Sequence, residues 1–197
     1  DAKEMNGINP DFYRLSSYRD YAGVLDKIVF WSPYIYHEMF TTYEYETGSL
    51  GQADDSARQI SRELAGGKQP AAKLIAYPQA MQCFTWVSEP ETLAFQYLVY
   101  FLNGWHGASA YQFPSGYDAR YWNRIAEVNN LIAEFEEMVF NGVKVDRCRL
   151  EAESPMPADD LLRIYEYASP DQHLVAIGNF WQLGESFCRI RWSGLSD

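Results

Sequence analysis

Short apolar runs alternate with helical patterns over residues 9–142. Runs of strand length lie at residues 27–31, 73–77 and 107–113. A continuous apolar run of this length is typical of a strand buried on both faces, as in parallel sheets. Apolar residues at helical spacing predict helices between and after these strands, at residues 9–25, 54–65, 91–103 and 119–140. The pattern therefore predicts three parallel β/α units.

The periodicity changes after Gly142. Residues 143–151 alternate between apolar and polar, and strand-like runs follow at residues 162–168, 173–180 and 187–192, separated by turn residues. Such spacing is typical of antiparallel strands. We therefore predict a β/α domain over residues 1–142 and an antiparallel β region over residues 143–197.

Three β/α units cannot close an eight-stranded barrel, which takes about 250 residues. The first region is therefore either a small open sheet or the last units of a TIM-like barrel whose first strands lie upstream, and we favour the barrel. In both architectures, ligands bind at the carboxyl ends of the strands.

Composition narrows the classes of function. The chain has 197 residues, of which 47% are hydrophobic, so a folded core is expected. Its net charge of −11 disfavours binding to nucleic acid or to anionic membranes. No apolar run reaches the roughly 20 residues of a membrane span. No signal peptide is evident, so the location stays open, and an extracellular or periplasmic one is compatible with the sequence.

Neither metal nor cofactor is expected. The cysteines, Cys83, Cys148 and Cys188, form no CxxC pair and have no nearby histidine at a ligand spacing. The glycine motifs that bind nucleotide phosphates are also missing from the sequence. We expect His106, at the amino end of its strand, to be structural, and His173 to lie at the surface of the β region.

Four segments carry a family resemblance. They are a helix over residues 91–105 flanked by Gly104 and Gly107, a strand at 108–113, a helix at 121–134 with the Asn129–Asn130 pair, and a hairpin at 174–192. In this order they resemble the end of the (β/α)8 catalytic domain of glycoside hydrolases, followed by the start of its C-terminal β-sandwich. The resemblance implies a carbohydrate-active protein that acts on glycosidic bonds.

The sequence departs from that family at one important position. Many retaining members carry a nucleophilic Glu after strand seven, but residues 73–77 are followed by Gln79 and Gln82. One alternative is therefore a non-catalytic carbohydrate-binding or structural domain on a degenerate barrel. A second is a small open α/β domain whose β appendage mediates assembly.

Glu38 is the candidate catalytic acid, because neighbouring Tyr and Phe side chains would desolvate it and raise its pKa. The simpler interpretation is a solvated loop carboxylate. Aromatic rings that stack on sugars, and polar groups that bind sugar hydroxyls, form the candidate substrate-binding set: Trp31, Tyr34, Tyr36, His37, Gln79, Gln82, Trp86, Gln112, Phe113 and Tyr117. Taken singly, each ring is better explained by packing in the top of the barrel or at its junction with the sandwich. The coincidence of aromatic and Gln residues at three successive strand ends favours a functional role for the group. The expected partners are a carbohydrate ligand and the remainder of a longer chain.

Overall fold

A computed structural model describes residues 4–8, 26–31, 51, 53–62, 73–78, 90–110, 119–152, 162–180 and 188–192, and only the backbone at residues 4–8, 30, 31, 152 and 188. The first part of the chain forms a four-stranded parallel sheet in the order β1-β2-β3-β4. Its strands are β1 (Glu4–Ile8), β2 (Lys27–Trp31), β3 (Lys73–Tyr77) and β4 (Gly107–Ala108). The helices are α1 (residues 53–62), α2 (Pro90–Leu102) and α3 (Ala119–Asn141).

The two central strands of this sheet have the predicted bounds. β2 pairs with β3 over five successive residues, from Lys27 opposite Lys73 to Trp31 opposite Tyr77. Ile28 and Val29 are adjacent and point to opposite faces of the sheet, and both are buried. The prediction of a strand covered on both faces is therefore confirmed for β2.

The two outer strands differ from the prediction. β1 was not predicted, because Glu4–Ile8 includes Glu, Asn and Gly and has no apolar run; its parallel pairing with β2 makes it a strand. β4 is shorter than the predicted strand at 107–113, since residues 109 and 110 are not in a strand. The Ser109 N–H nevertheless donates to the Ala76 carbonyl at 2.9 Å. The predicted helix at residues 9–25 lies outside the described residues.

Helix α2 is the centre of the core. Its side chains contribute to three separate clusters. Tyr100 packs with the parallel sheet and α1. Leu93 and Tyr97 pack against α3. Val99 and Phe101 pack against the antiparallel strands that follow.

The rest of the described chain is antiparallel. One sheet has the order β5-β7-β8, with β5 (Val143–Lys144), β7 (Leu162–Ala168) and β8 (His173–Asn179). A second pairs β6 (Cys148–Ala152) with β9 (Cys188–Trp192). The antiparallel strands predicted after Gly142 are thus present, while the division into two domains at that point stays a prediction.

The fold is therefore of mixed α/β type. The described strands form small sheets and do not close into a barrel. Among the described helices, none combines the length and the hydrophobicity needed to cross a bilayer.

Glu166 joins the two antiparallel sheets. Its buried carboxylate accepts hydrogen bonds from the N–H of Arg147 at 2.7 Å and of Cys148 at 2.9 Å. His173 Nε2 lies 2.7 Å from the other carboxylate oxygen, and its ring packs edge-on against Trp192. The prediction that His173 lies at the surface is wrong, because β9 and the Glu166 carboxylate cover it.

This arrangement predicts acid sensitivity. Burial alone raises the pKa of Glu166, but the two N–H donors and His173 outweigh it and bring the pKa below its ordinary value. A lowered pKa adds stability above the unfolded-state pKa, and that stability is lost as the pH falls through the folded-state value. We expect Glu166→Gln to lower the free energy of unfolding by about 2 kcal/mol at pH 7. Below pH 5, the stability of this variant should fall less steeply with pH than that of the unmodified protein.

Denaturant titration across pH tests this expectation. Glu151→Gln is the matched control, since Glu151 is exposed and forms an ion pair with the exposed Arg191. Equal effects of the two substitutions would contradict the role assigned to Glu166.

Candidate functional site

The carboxyl ends of three parallel strands lie side by side. Trp31 at the end of β2 is opposite Tyr77 at the end of β3, and Ala76 is opposite Ala108 at the end of β4. Because the strands are parallel, the segments that follow them all leave the sheet at this edge. This is the edge where parallel α/β proteins bind their ligands.

The residues predicted for the site follow these strand ends in the sequence. Trp31 is the one with a described backbone, at the last position of β2. Its side chain lies outside the described residues, as do Tyr34, Tyr36, His37, Glu38, Gln79, Gln82, Trp86, Gln112, Phe113 and Tyr117. Their assignment as catalytic acid and sugar-binding residues stays a prediction.

A groove of about 360 Å³ opens at the opposite end, between α2, α3 and the amino end of β4. Its inner wall is aromatic, but these rings are already used in packing. Trp105 is 1% exposed, and its ring centroid lies 4.7 Å from that of Tyr100. The Trp105 Nε1–H donates to Ser61 Oγ at 3.0 Å. The inner wall therefore presents no free ring face for stacking.

The rim of the groove is more polar. His106 stacks on Phe140 with centroids 5.1 Å apart, and its Nδ1 accepts a hydrogen bond from the Leu74 N–H at 3.2 Å. Partial burial and the nearby Lys73 charge lower the His106 pKa, in the direction that favours the neutral ring able to accept this bond. Such a bond extends the contact between β3 and β4, in line with the structural role expected for His106.

The groove lacks the groups for glycoside hydrolysis. That reaction needs two carboxyl groups, about 5 to 9.5 Å apart. Among the described residues that line the groove, Glu136 is the one carboxylate. The described residues of this groove therefore do not supply the pair of carboxyl groups that hydrolysis needs.

A second group of ionisable residues surrounds Asp54 on α1, which is 0% exposed. Its Oδ1 accepts hydrogen bonds from Asn103 Nδ2 and from the Tyr165 hydroxyl, both at 2.7 Å. Its Oδ2 lies 2.7 Å from Arg58 Nε and 2.5 Å from Arg163 Nη1. Burial, and then the adjacent carboxylate, raise the pKa of Tyr165. Both oxygens are occupied, so Asp54 joins α1, α2 and β7 and is not free to react.

Sequence reasoning missed this ionic cluster. Asp54 and Asp55 were interpreted as the start of a helix, whereas residue 53 is already helical. The partner Arg163 is 109 residues away along the chain. No local sequence pattern predicts an ion pair between residues so far apart. The available signal is that Asp54 lies among the apolar residues Ala53, Ala57 and Ile60 of a helix, which indicates a buried charge that needs a partner.

No metal centre is evident in the described part of the chain, where no group of three or more His, Cys, Asp or Glu side chains is arranged to hold an ion.

Comparison with protein-family models, with curated proteins and with solved structures gives no match to this chain.

Proposed function

We propose that this chain is part of a carbohydrate-active protein whose sugar-binding face is the carboxyl edge of β2, β3 and β4. The observation that carries the proposal is the strand order: four parallel strands lie in the order of the sequence. A (β/α)8 barrel has this order throughout, whereas doubly wound sheets reverse direction. The antiparallel strands that follow support the likeness to a barrel with a β-sandwich attached.

The residues after these strands suit a sugar. Aromatic planes match the apolar face of a sugar ring, and the Gln amides bind its hydroxyls without adding charge. Glu38 is the proposed general acid, on the segment after β2. Hydrolysis of a glycosidic bond needs a second carboxyl group, which we assign to the remainder of a longer chain.

A non-catalytic sugar-binding domain is the second candidate. It is favoured by the segment after β3, where Gln79 and Gln82 stand in place of a carboxylate. An amide binds hydroxyl groups but cannot act as the nucleophile of a retaining glycosidase. The two candidates share the binding face and differ in the role of Glu38.

The test measures both binding and hydrolysis of a panel of oligosaccharides and polysaccharides by the full-length protein. If the protein is a hydrolase, Glu38→Gln lowers kcat by about 100-fold or more and leaves sugar affinity nearly unchanged. Glu46→Gln on the same segment is the control and retains activity. Sugar binding without hydrolysis in the unmodified protein selects the non-catalytic candidate.

The binding face has its own readout. We expect Trp86→Ala to weaken sugar binding about tenfold under either candidate, since a stacked ring contributes on the order of 1 kcal/mol or more. Trp122→Ala serves as the control and leaves sugar affinity unchanged, because Trp122 is an exposed residue of α3. Failure of the unmodified protein to bind any member of the panel would exclude both candidates.

A further inference from the structure

Three cationic side chains lie in the same region, where α1 packs over the antiparallel sheet. Arg58 and Arg62 are one helical turn apart and lie on the same side of α1. The Arg58 guanidinium is 4.9 Å from the centroid of the Tyr165 ring, and Lys144 Nζ is 6.0 Å from that of Tyr167. Tyr165 and Tyr167 alternate along β7 and so occupy the same face of it. We call Arg58, Arg62 and Lys144 the basic cluster.

Among the described residues, the nearby carboxylates do not balance this charge. Asp54 forms ion pairs with both Arg58 and Arg163, and Arg163 also pairs with Asp55. In the described part of the chain, Arg62 and Lys144 form no ion pair, and the buried Nη2 of Arg58 has no hydrogen-bond acceptor. The described residues at this place thus carry a local excess of positive charge, in a chain whose net charge is −11.

The cations also affect one another. Partial burial lowers the pKa of Lys144, and repulsion from Arg58 and Arg62 lowers it further, while Asp54 acts in the opposite direction. Positive groups held together without counter-charge are stabilised by an anion that binds between them.

We propose that the basic cluster binds an oxyanion, meaning a phosphate, sulfate or carboxylate group carried by a ligand. The exposed Arg62 guanidinium offers planar donors that suit two oxygens of such a group, Lys144 adds a compact charge, and Arg58 adds positive charge nearby. The inference does not depend on the carbohydrate proposal, because none of these residues belongs to the carboxyl edge of the sheet.

Calorimetric titration of the full chain with inorganic phosphate at pH 7 tests the proposal, with NaCl used to hold ionic strength constant. We expect saturable binding that weakens about tenfold in Arg62→Gln and in Lys144→Gln. Arg62→Lys keeps the charge but loses the planar donors, so it should weaken binding less than Arg62→Gln. Arg62 and Lys144 are exposed, so these variants should fold, and circular dichroism checks that they do.

Lys27→Gln is the matched control, since Lys27 is an exposed cation on β2 in the parallel sheet. Parallel titrations with sulfate and with glucuronate separate a tetrahedral anion from a carboxylate, and saturable binding of either supports the site. Absence of saturable binding of all three anions at matched ionic strength would overturn the proposal. An equal loss of affinity in Lys27→Gln would overturn it too, because attraction would then be non-specific.

Discussion

Replacement of Asp54 by Asn lowers the free energy of unfolding by an expected 3 to 5 kcal/mol. The substitution keeps the size of the side chain but removes its charge. Arg58 and Arg163 then each lose a buried carboxylate partner, although the Arg163 side chain is only 10% exposed. Breaking a buried ion pair is costly because the remaining charge stays desolvated without compensation.

Asp55→Asn provides an internal control for this expectation. Asp55 is adjacent in sequence and contacts the same Arg163, but its side chain is 67% exposed. An exposed pair contributes about 0 to 1 kcal/mol, so this variant should be nearly as stable as the unmodified protein. Urea denaturation followed by circular dichroism gives both values. If the two variants were destabilised equally, Asp54 would not be the joint between α1 and β7.

Replacement of Trp105 by Ala is expected to lower the free energy of unfolding by about 3 to 5 kcal/mol. Trp105 is the largest fully buried side chain described, and it packs on Tyr100 in the cluster between α1, α2 and the parallel sheet. Its removal leaves a cavity and also withdraws a hydrogen-bond donor from Ser61. Both losses act on the same core.

The contributions of the indole ring and of its N–H can be separated. Trp105→Phe keeps a ring but not the Nε1–H, so it should show an intermediate loss of stability. Trp122→Ala removes an indole that is 56% exposed and should change the free energy of unfolding by less than about 1 kcal/mol. Thermal unfolding of the three variants gives the order. A Trp105→Ala midpoint equal to that of Trp122→Ala would show that Trp105 does not hold this core together.

Local patterns predicted the regular elements well where the signal was strong. The runs at residues 27–31, 73–77 and 162–168 became β2, β3 and β7 with the expected bounds. Each is a run of mostly apolar and aromatic residues, and such a run leaves few alternatives to a buried strand. β1 was not predicted, because a polar segment forms a strand only by pairing with a neighbouring strand. β4 ends at Ala108, before the predicted end of the strand.

The candidate site was predictable only as a location. That Trp31 would end one strand and precede the segment carrying Glu38 follows from the apolar pattern, and the register then aligns this end with Tyr77. The roles of the individual side chains do not follow from the pattern, because a carboxylate becomes an acid catalyst through its surroundings and not through its position in the sequence.

By itself, the sequence determined the bounds of β2, β3 and β7, that the first sheet is parallel, and that antiparallel strands follow Gly142. Periodicity and apolar content decide these matters locally. Only the tertiary structure decided that Asp54 meets Arg163, that Glu166 covers His173, and that Arg58, Arg62 and Lys144 come together. A charge removed from water needs a partner, and the fold supplies that partner from distant parts of the chain.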